Sequence, residues 1–174
     1  MEHLEDRVAT HYARDGLLER IDAALEALGV TGSDPGDLKP LDEFHTGGIK
    51  ATEALLDQLE ITQATRVLDI GAGIGGTARH VHTRYGAHVS AVDLTPAYVE
   101  VGKVLNARAG IGDGVSMMQG SALDLPLAAG SVDLALMFHV GMNIEDKPAL
   151  MAEVARVLKP GGHFALFDVM QDGS

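Results

Sequence analysis

Residues 66–81, RVLDIGAGIGGTARHV, carry an apolar stretch into a cluster of glycines and then into a helix-forming pattern. A strand that turns on glycines straight into a helix constrains the fold more than any other feature of the chain. It calls for a parallel neighbour reached by a crossover, and it sets the free amides of a helix N-terminus at the strand's end. Gly71, Gly73 and Gly76 satisfy the spacing G-x-G-x-x-G, which in dinucleotide sites seats a pyrophosphate on those amides. Asp69, however, stands two residues before the first glycine. A fixed carboxylate is a poor neighbour for a phosphate and a good one for a cationic ligand.

The same alternation runs along most of the chain. A helix at 48–59 precedes a strand at 66–70, followed by helix 75–85, strand 87–92, helix 96–109, strand 115–119, strand 132–138, helix 146–158 and strand 163–169. Strands alternating with helices predict an α/β fold, a Rossmann-like doubly wound sheet of five mainly parallel strands in the order 3-2-1-4-5. The first strand then lies centrally, at the switch point where such sheets bind ligands. Residues 3–28 are helical by pattern, with Asp15-Gly16 a break and Gly29 a stop. TGSDPGDLKPLD, residues 31–42, is rich in turn formers and predicts an irregular connection. The division expected is a helical cap and linker over 1–43 and a ligand-binding core over 44–174. The last strand leaves an apolar outer edge uncovered, which predicts either a further C-terminal portion or a partner there, a second copy pairing along 163–169 among them.

At 174 residues the chain has room for one domain and a small appendage. Its net charge of −12 is uneven: residues 1–65 hold 5 Lys/Arg against 14 Asp/Glu, and residues 66–174 hold 8 against 11. A field of that sign disfavours nucleic acid and anionic membrane as partners and favours neutral or cationic small molecules; a solvated surface chosen for solubility accounts for it equally well. No apolar run approaches the roughly 20 residues of a membrane span. The N-terminus MEHLEDRVATHYARD lacks the basic and apolar regions of a signal peptide, so a cytoplasmic chain is expected. There is no cysteine, and no Asp/His grouping has the spacing of a metal site.

Two further markers follow the glycine turn. Asp93 closes the stretch AHVSAVDLT, 20 residues after Gly73. A carboxylate at the tip of a second strand accepts from ribose hydroxyls, or else caps the helix beginning at Pro96, a place Thr95 takes more naturally. In QGSALDLPLAAGSVDLALMF, backbone near Ser121 and Ala122 suits an adenine edge and Leu123 suits its ring; a plain connection between strands is the other reading. His139 follows the fourth strand at its carboxyl end, where a histidine is placed to take a proton from an ammonium acceptor or simply to line a cleft. His80, His82 and His88 read as surface groups.

With these markers in order, the sequence resembles the class I S-adenosylmethionine-dependent methyltransferases over about residues 44–169. VLDIGAGIGG is similar to their first motif, VSAVDLT to their acidic second-strand end, GSALDLPLAAGSVDL to their adenine loop and fourth strand, and EVARVLKPGGHFALFDV to their fifth-strand entry. The resemblance implies S-adenosylmethionine as cofactor and S-adenosylhomocysteine as product. It implies Asp69 and Gly71 beside the methionine portion, Asp93 at the ribose, and Ser121 with Ala122 framing the adenine, with Gly73, Leu94 and Leu123 among the cofactor-binding residues. Many relatives carry Asp at the position of Ser121, so the neutral hydroxyl predicts weaker adenine binding.

HYARDGLLERI and DEFHTGGIKATEALLDQL resemble the entry helix and Thr/Ser-Gly-Gly stretch of small-molecule N-methyltransferases, the phosphoethanolamine and sarcosine/dimethylglycine types. That implies Tyr12 over the site and His45, Thr46 and Gly47 against the cofactor, with His139 and Tyr12 as the catalytic pair. Packing of Tyr12 between helices and capping of the helix at 48–59 by Thr46 are the competing roles. Members of the family usually add two strands as a C-terminal β-hairpin, absent from this sequence. The expected function is methyl transfer to a small molecule, an amine favoured. A cofactor-binding module or truncated fragment without turnover, and a dehydrogenase fragment, are the alternatives.

Overall fold

The computed structural model describes residues 16–42 and 48–169. Five parallel strands, β1 (Arg66–Ile70), β2 (His88–Asp93), β3 (Val115–Gln119), β4 (Val132–Phe138) and β5 (Leu158–Phe167), form one sheet in the order β3-β2-β1-β4-β5. The predicted order is the observed one. β1 sits in the middle, with Ile70 opposite Val92 of β2 and Met137 of β4.

Both faces of β1 are buried, as a near-continuous apolar run requires. Val67 joins Val89, Ala91, Leu134 and Leu136 beneath α3 (Gly48–Leu56), α4 (Gly76–Tyr85) and α5 (Pro96–Arg108), reached by Leu56, Ala78, Val81 and Val99. Leu68 and Ile70 point the other way, joining Val92, Ala135 and Met137 under α6 (Lys147–Val157), which contributes Leu150, Val154 and Val157. A third cluster, Ile21, Leu25, Leu38, Ile74, Val101 and Leu105, joins α1 (Leu17–Leu28) and α2 (Pro35–Asp42) to α5 and to the turn after β1.

Three expectations are corrected. Residues 31–42 are not all irregular, because Pro35–Asp42 is helical. Asp34 accepts the Gly36 amide at 2.6 Å, Pro35 occupies a first-turn position that needs no donor, and Leu38 is fully buried. Tertiary burial thus holds a helix despite Pro40 within it. β5 begins at Leu158, not at 163: it pairs Leu158 with Val132, lets Lys159–Gly162 bulge out, and resumes at His163 opposite Leu134. An edge strand accommodates both Pro160 and Gly161, the latter with φ +82°. His80 and His82 are not surface groups. The His82 ring packs where a Gly114 side chain would lie, with Nδ1 2.8 Å from Ala87 O, and the His80 side chain is 9% exposed against α3. His88 is exposed.

Gly16, in the left-handed region, begins α1 where Asp15-Gly16 predicted a break, and Gly29 ends it. No helix among the described residues is long and apolar enough to cross a membrane.

Candidate functional site

The carboxyl ends of β1, β2 and β3 converge on the turn 71–75, held by backbone bonds. Gly71 and Ala72 both donate to Val92 O, at 2.8 and 3.0 Å. Gly73 donates to Asp93 Oδ2 at 2.8 Å, and Gly120, just past β3, donates to Asp93 O at 3.0 Å. Two glycines of the turn have different reasons to be glycine. At Gly71 (φ +73°) an added Cβ would lie 2.2 Å from Val140 Cγ2, so the chain leaving β4 closes directly on this residue. At Gly73 (φ +56°) an added Cβ would meet nothing within 4 Å. Gly73 therefore turns a bare face toward open space, where a ligand can approach the backbone.

Asp93 is 8% exposed and uses both carboxylate oxygens on amides, Oδ2 on Gly73 and Oδ1 on Thr95 at 2.8 Å. Burial pushes its pKa up, and the amide bonds pull against that. Thr95 occupies the N-cap of α5 without a side-chain capping bond, so Asp93 serves the loop ahead of that helix. The spacing of twenty between glycine and acid has a direct physical cause: it places Asp93 under the turn it stabilises. Its oxygens keep lone pairs beyond the two amides for donors from a ligand. Leu94 is half-buried beside it.

Asp69 alternates with Val67 onto the α4 face of β1 and is 2% exposed. The amide of Ala78, in the first turn of α4, donates to it, while Oδ2 has no partner among the described residues. Gly75 caps α4 without a side chain, so Asp69 supplies the acceptor from beneath. Burial, with the nearby Asp93 adding to it, raises its pKa to about 7.

After β3, Ser121 Oγ accepts the Leu123 amide at 3.0 Å, and Ser121 bridges to Asp124. This tight turn half-buries Ala122 and Leu123 against the α6-side core. After β4, His139 is the one non-glycine among the described residues with positive φ, +54°. Its amide donates to Phe167 O at 2.8 Å, and its ring meets the Phe167 ring edge-on at 5.3 Å. Such strain persists only where the surroundings impose it. The next residue, Val140, is the one seated on Gly71; further along, Asp168 Oδ2 takes the Met142 amide at 2.9 Å and ties this loop to the end of β5. Tyr12, His45, Thr46 and Gly47 lie outside the described residues. No group of three His, Asp or Glu suited to a metal ion occurs among the described residues.

The structure thus brings Gly71, Gly73, Asp93, Leu94 and Ser121 to one rim of the sheet, with Asp69 behind the turn and His139 across it. Sequence reasoning missed Val140, and it missed Asp42 and Arg79, which fix the turn from below. No local pattern signals a contact between residues 69 or 37 positions apart.

The methyltransferase domain profile matches residues 68–166, more than half of the chain. The chain belongs to this methyltransferase domain family. Methyltransferase GfsG of Streptomyces halstedii is 32% identical over 141 residues, covering 81% of this chain and 50% of that protein. A sarcosine/dimethylglycine N-methyltransferase of Aphanothece halophytica is 29% identical over 76% of this chain and 48% of its own length. The chain therefore spans about half the length of these curated relatives. Among solved structures, geranyl diphosphate C-methyltransferase from Streptomyces coelicolor A3(2), in complex with Mg2+, geranyl diphosphate and S-adenosyl-L-homocysteine, superposes with a TM-score of 0.64. It is 29% identical, over 67% of this chain and 43% of that one. A geranyl diphosphate methyltransferase in complex with SAM gives 0.63 at 31% identity, over 67% of this chain and 47% of its own.

Proposed function

We propose that this domain binds S-adenosylmethionine and delivers its methyl group to a small molecule, with an amine the favoured acceptor. The observation that carries the reading is the bare face of Gly73 beside the buried carboxyl of Asp93 at the tip of β2, with the buried carboxyl of Asp69 behind the same turn. An acid beside a backbone seat that keeps lone pairs for further donors disfavours phosphate and suits a ligand that brings ribose hydroxyls. Asp69 Oδ2, buried behind the turn and without a partner among the described residues, leaves acceptor capacity on that side. Relatives named for S-adenosylhomocysteine or SAM complexes support the same ligand.

In this reading Asp93, with Leu94, accepts from the ribose; Ser121, Ala122 and Leu123 frame the adenine; and Asp69, Gly71 and Gly73 line the methionine side. His45, Thr46 and Gly47 reach the same side from the N-terminal segment. S-adenosylmethionine supplies an electrophilic methyl on a sulfonium, so the chain's own work is alignment and exclusion of water. His139, held in one strained conformation across the turn from Gly71, takes the acceptor's proton, and Tyr12 orients the acceptor. The amine preference follows from relatives named for sarcosine and dimethylglycine and from the acidic N-terminal third. The reading includes a cytoplasmic chain with the free edge of β5 paired to a second copy.

Transfer of labelled methyl from S-adenosylmethionine to a panel of amine, hydroxyl and carbon acceptors tests it. Methylated amine with stoichiometric S-adenosylhomocysteine is expected. Cofactor binding with no transfer to any acceptor would replace the enzyme with a cofactor-binding module.

A further inference from the structure

Arg79, on the first turns of α4, carries a guanidinium that is 1% exposed and lies beneath the glycine turn. Nη1 donates to Ile74 O at 2.7 Å and to Asn106 Oδ1 at 2.9 Å. Nε donates to Asp42 Oδ2 at 3.2 Å, and Nη2 donates to Asp42 Oδ1. One side chain therefore joins three segments distant in sequence: the turn after β1, helix α5 through Asn106, and the end of α2 through Asp42. The Asp42 side chain is 6% exposed, and its carbonyl lies where a Gly76 Cβ would be, so α2 and α4 are in backbone contact here.

A buried ion pair of this kind adds little stability over apolar side chains of the same volume, because desolvation offsets the attraction. What it adds is direction, since a planar guanidinium fixes several acceptors at once. The turn is anchored on β2 through Gly71, Ala72 and Gly73, all upstream of Ile74. Downstream, the Ile74 carbonyl is buried and held by Arg79.

We propose that Arg79 is a positioning residue for cofactor binding: by fixing the Ile74 carbonyl against α5 and the end of α2, it sets the turn that presents the open face of Gly73. This rests on the turn being the S-adenosylmethionine seat. Without the guanidinium, the buried Ile74 carbonyl loses its donor and the 74–75 peptide is held only through the Gly75 amide on Ala72 O at 2.8 Å, which loosens the alignment of Gly73 with Asp93.

The experiment compares wild type, Arg79→Lys and the double variant Arg79→Met/Asp42→Leu, which removes both charges and leaves apolar volume in their place. S-adenosylhomocysteine affinity is measured by calorimetry at a temperature where circular dichroism shows each chain folded, together with Tm and exchange of the Gly73 amide. The double variant is expected to stay folded with a lowered Tm, since Ile74 O and Asn106 Oδ1 lose their donor, to bind at least tenfold more weakly and to lose protection at Gly73 while Val67–Ile70 stay protected. Arg79→Lys, which keeps a charge but not the fork, is expected between the two. A folded double variant with wild-type affinity and Gly73 protection overturns the proposal. If the double variant does not fold, wild-type affinity in folded Arg79→Lys overturns it and a several-fold loss sustains it. Wild type that does not bind S-adenosylhomocysteine overturns the cofactor reading itself, before any variant is compared.

Discussion

The backbone amide of Gly73 donates to Asp93 Oδ2 at 2.8 Å, so the acid that ends β2 holds the turn that leaves β1. Asp93 also takes the amide of Thr95, which makes one carboxylate the joint between two loops of the site. Asp93→Ala leaves two amides without their acceptor and removes the proposed ribose contact. It is expected to weaken S-adenosylhomocysteine binding by roughly 1.5–3 kcal/mol and to lower stability by a similar amount. Calorimetry and denaturant titration separate the two effects; wild-type affinity in the variant would remove Asp93 from the ligand site while leaving its loop role intact.

Gly71 and Gly73 part company on substitution. Gly71→Ala drives a methyl into Val140 and strains a left-handed residue, with an expected loss of about 2–4 kcal/mol in stability. Gly73→Ala meets only the backbone penalty of about 1–2 kcal/mol. Its methyl, however, stands on the ligand's face, so S-adenosylhomocysteine affinity is expected to fall tenfold or more. Chemical denaturation and calorimetry on the two variants check the contrast, and equal binding by Gly73→Ala and wild type would contradict it.

Asp69 makes stability depend on pH. Its folded pKa, about 7, lies above the ordinary carboxylate value of 3.8. The native chain therefore holds a proton that the unfolded chain has already released, and stability contributed by the neutral acid is full below about pH 4 and is lost as pH rises toward 7. Asp69→Asn keeps an acceptor for the Ala78 amide and cannot ionise. Between pH 5 and 8 the wild-type Tm is expected to fall relative to that of Asp69→Asn, while Asp42, also raised by burial, acts equally on both. Parallel Tm curves over that range would contradict the assignment.

His139 is tested by a residue that tolerates its backbone. Asn adopts positive φ at lower cost than most side chains. His139→Asn is expected to stay folded, to retain S-adenosylhomocysteine affinity, and to lower kcat for an amine acceptor about 10²-fold, the low end of general-base contributions. Raising pH so that the acceptor amine arrives unprotonated is expected to recover part of the loss. A variant with wild-type kcat at neutral pH would return His139 to a lining role.

Much of this was readable from the sequence because it is local. The apolar runs at 66–70, 115–119 and 132–138 end where polar residues or glycines interrupt them, and the structure places β1, β3 and β4 on those bounds. The strand order followed from the alternation with helices. PGDLKPLD is helical for a reason the segment does not contain, the burial of Leu38 and the pairing of Asp42 with Arg79. KPGG belongs to β5 because β4 offers Val132 and Leu134 on either side of a bulge. At the site, Asp69, Gly73 and Asp93 were legible as a motif. The seating of Val140 on Gly71 was not, since residue pairs that meet only after the sheet forms leave no mark on either local pattern.

In the proposed function, the turn at Gly71–Gly75, with Asp69 behind it and Asp93 beside it, holds a nucleoside bearing a sulfur-linked amino acid and not a dinucleotide. Calorimetric titration of the wild-type chain with S-adenosylhomocysteine and with NADH, in parallel and in the same buffer, measures that directly. Saturable binding of S-adenosylhomocysteine with no heat from NADH is the predicted result; NADH binding with no response to S-adenosylhomocysteine would contradict it.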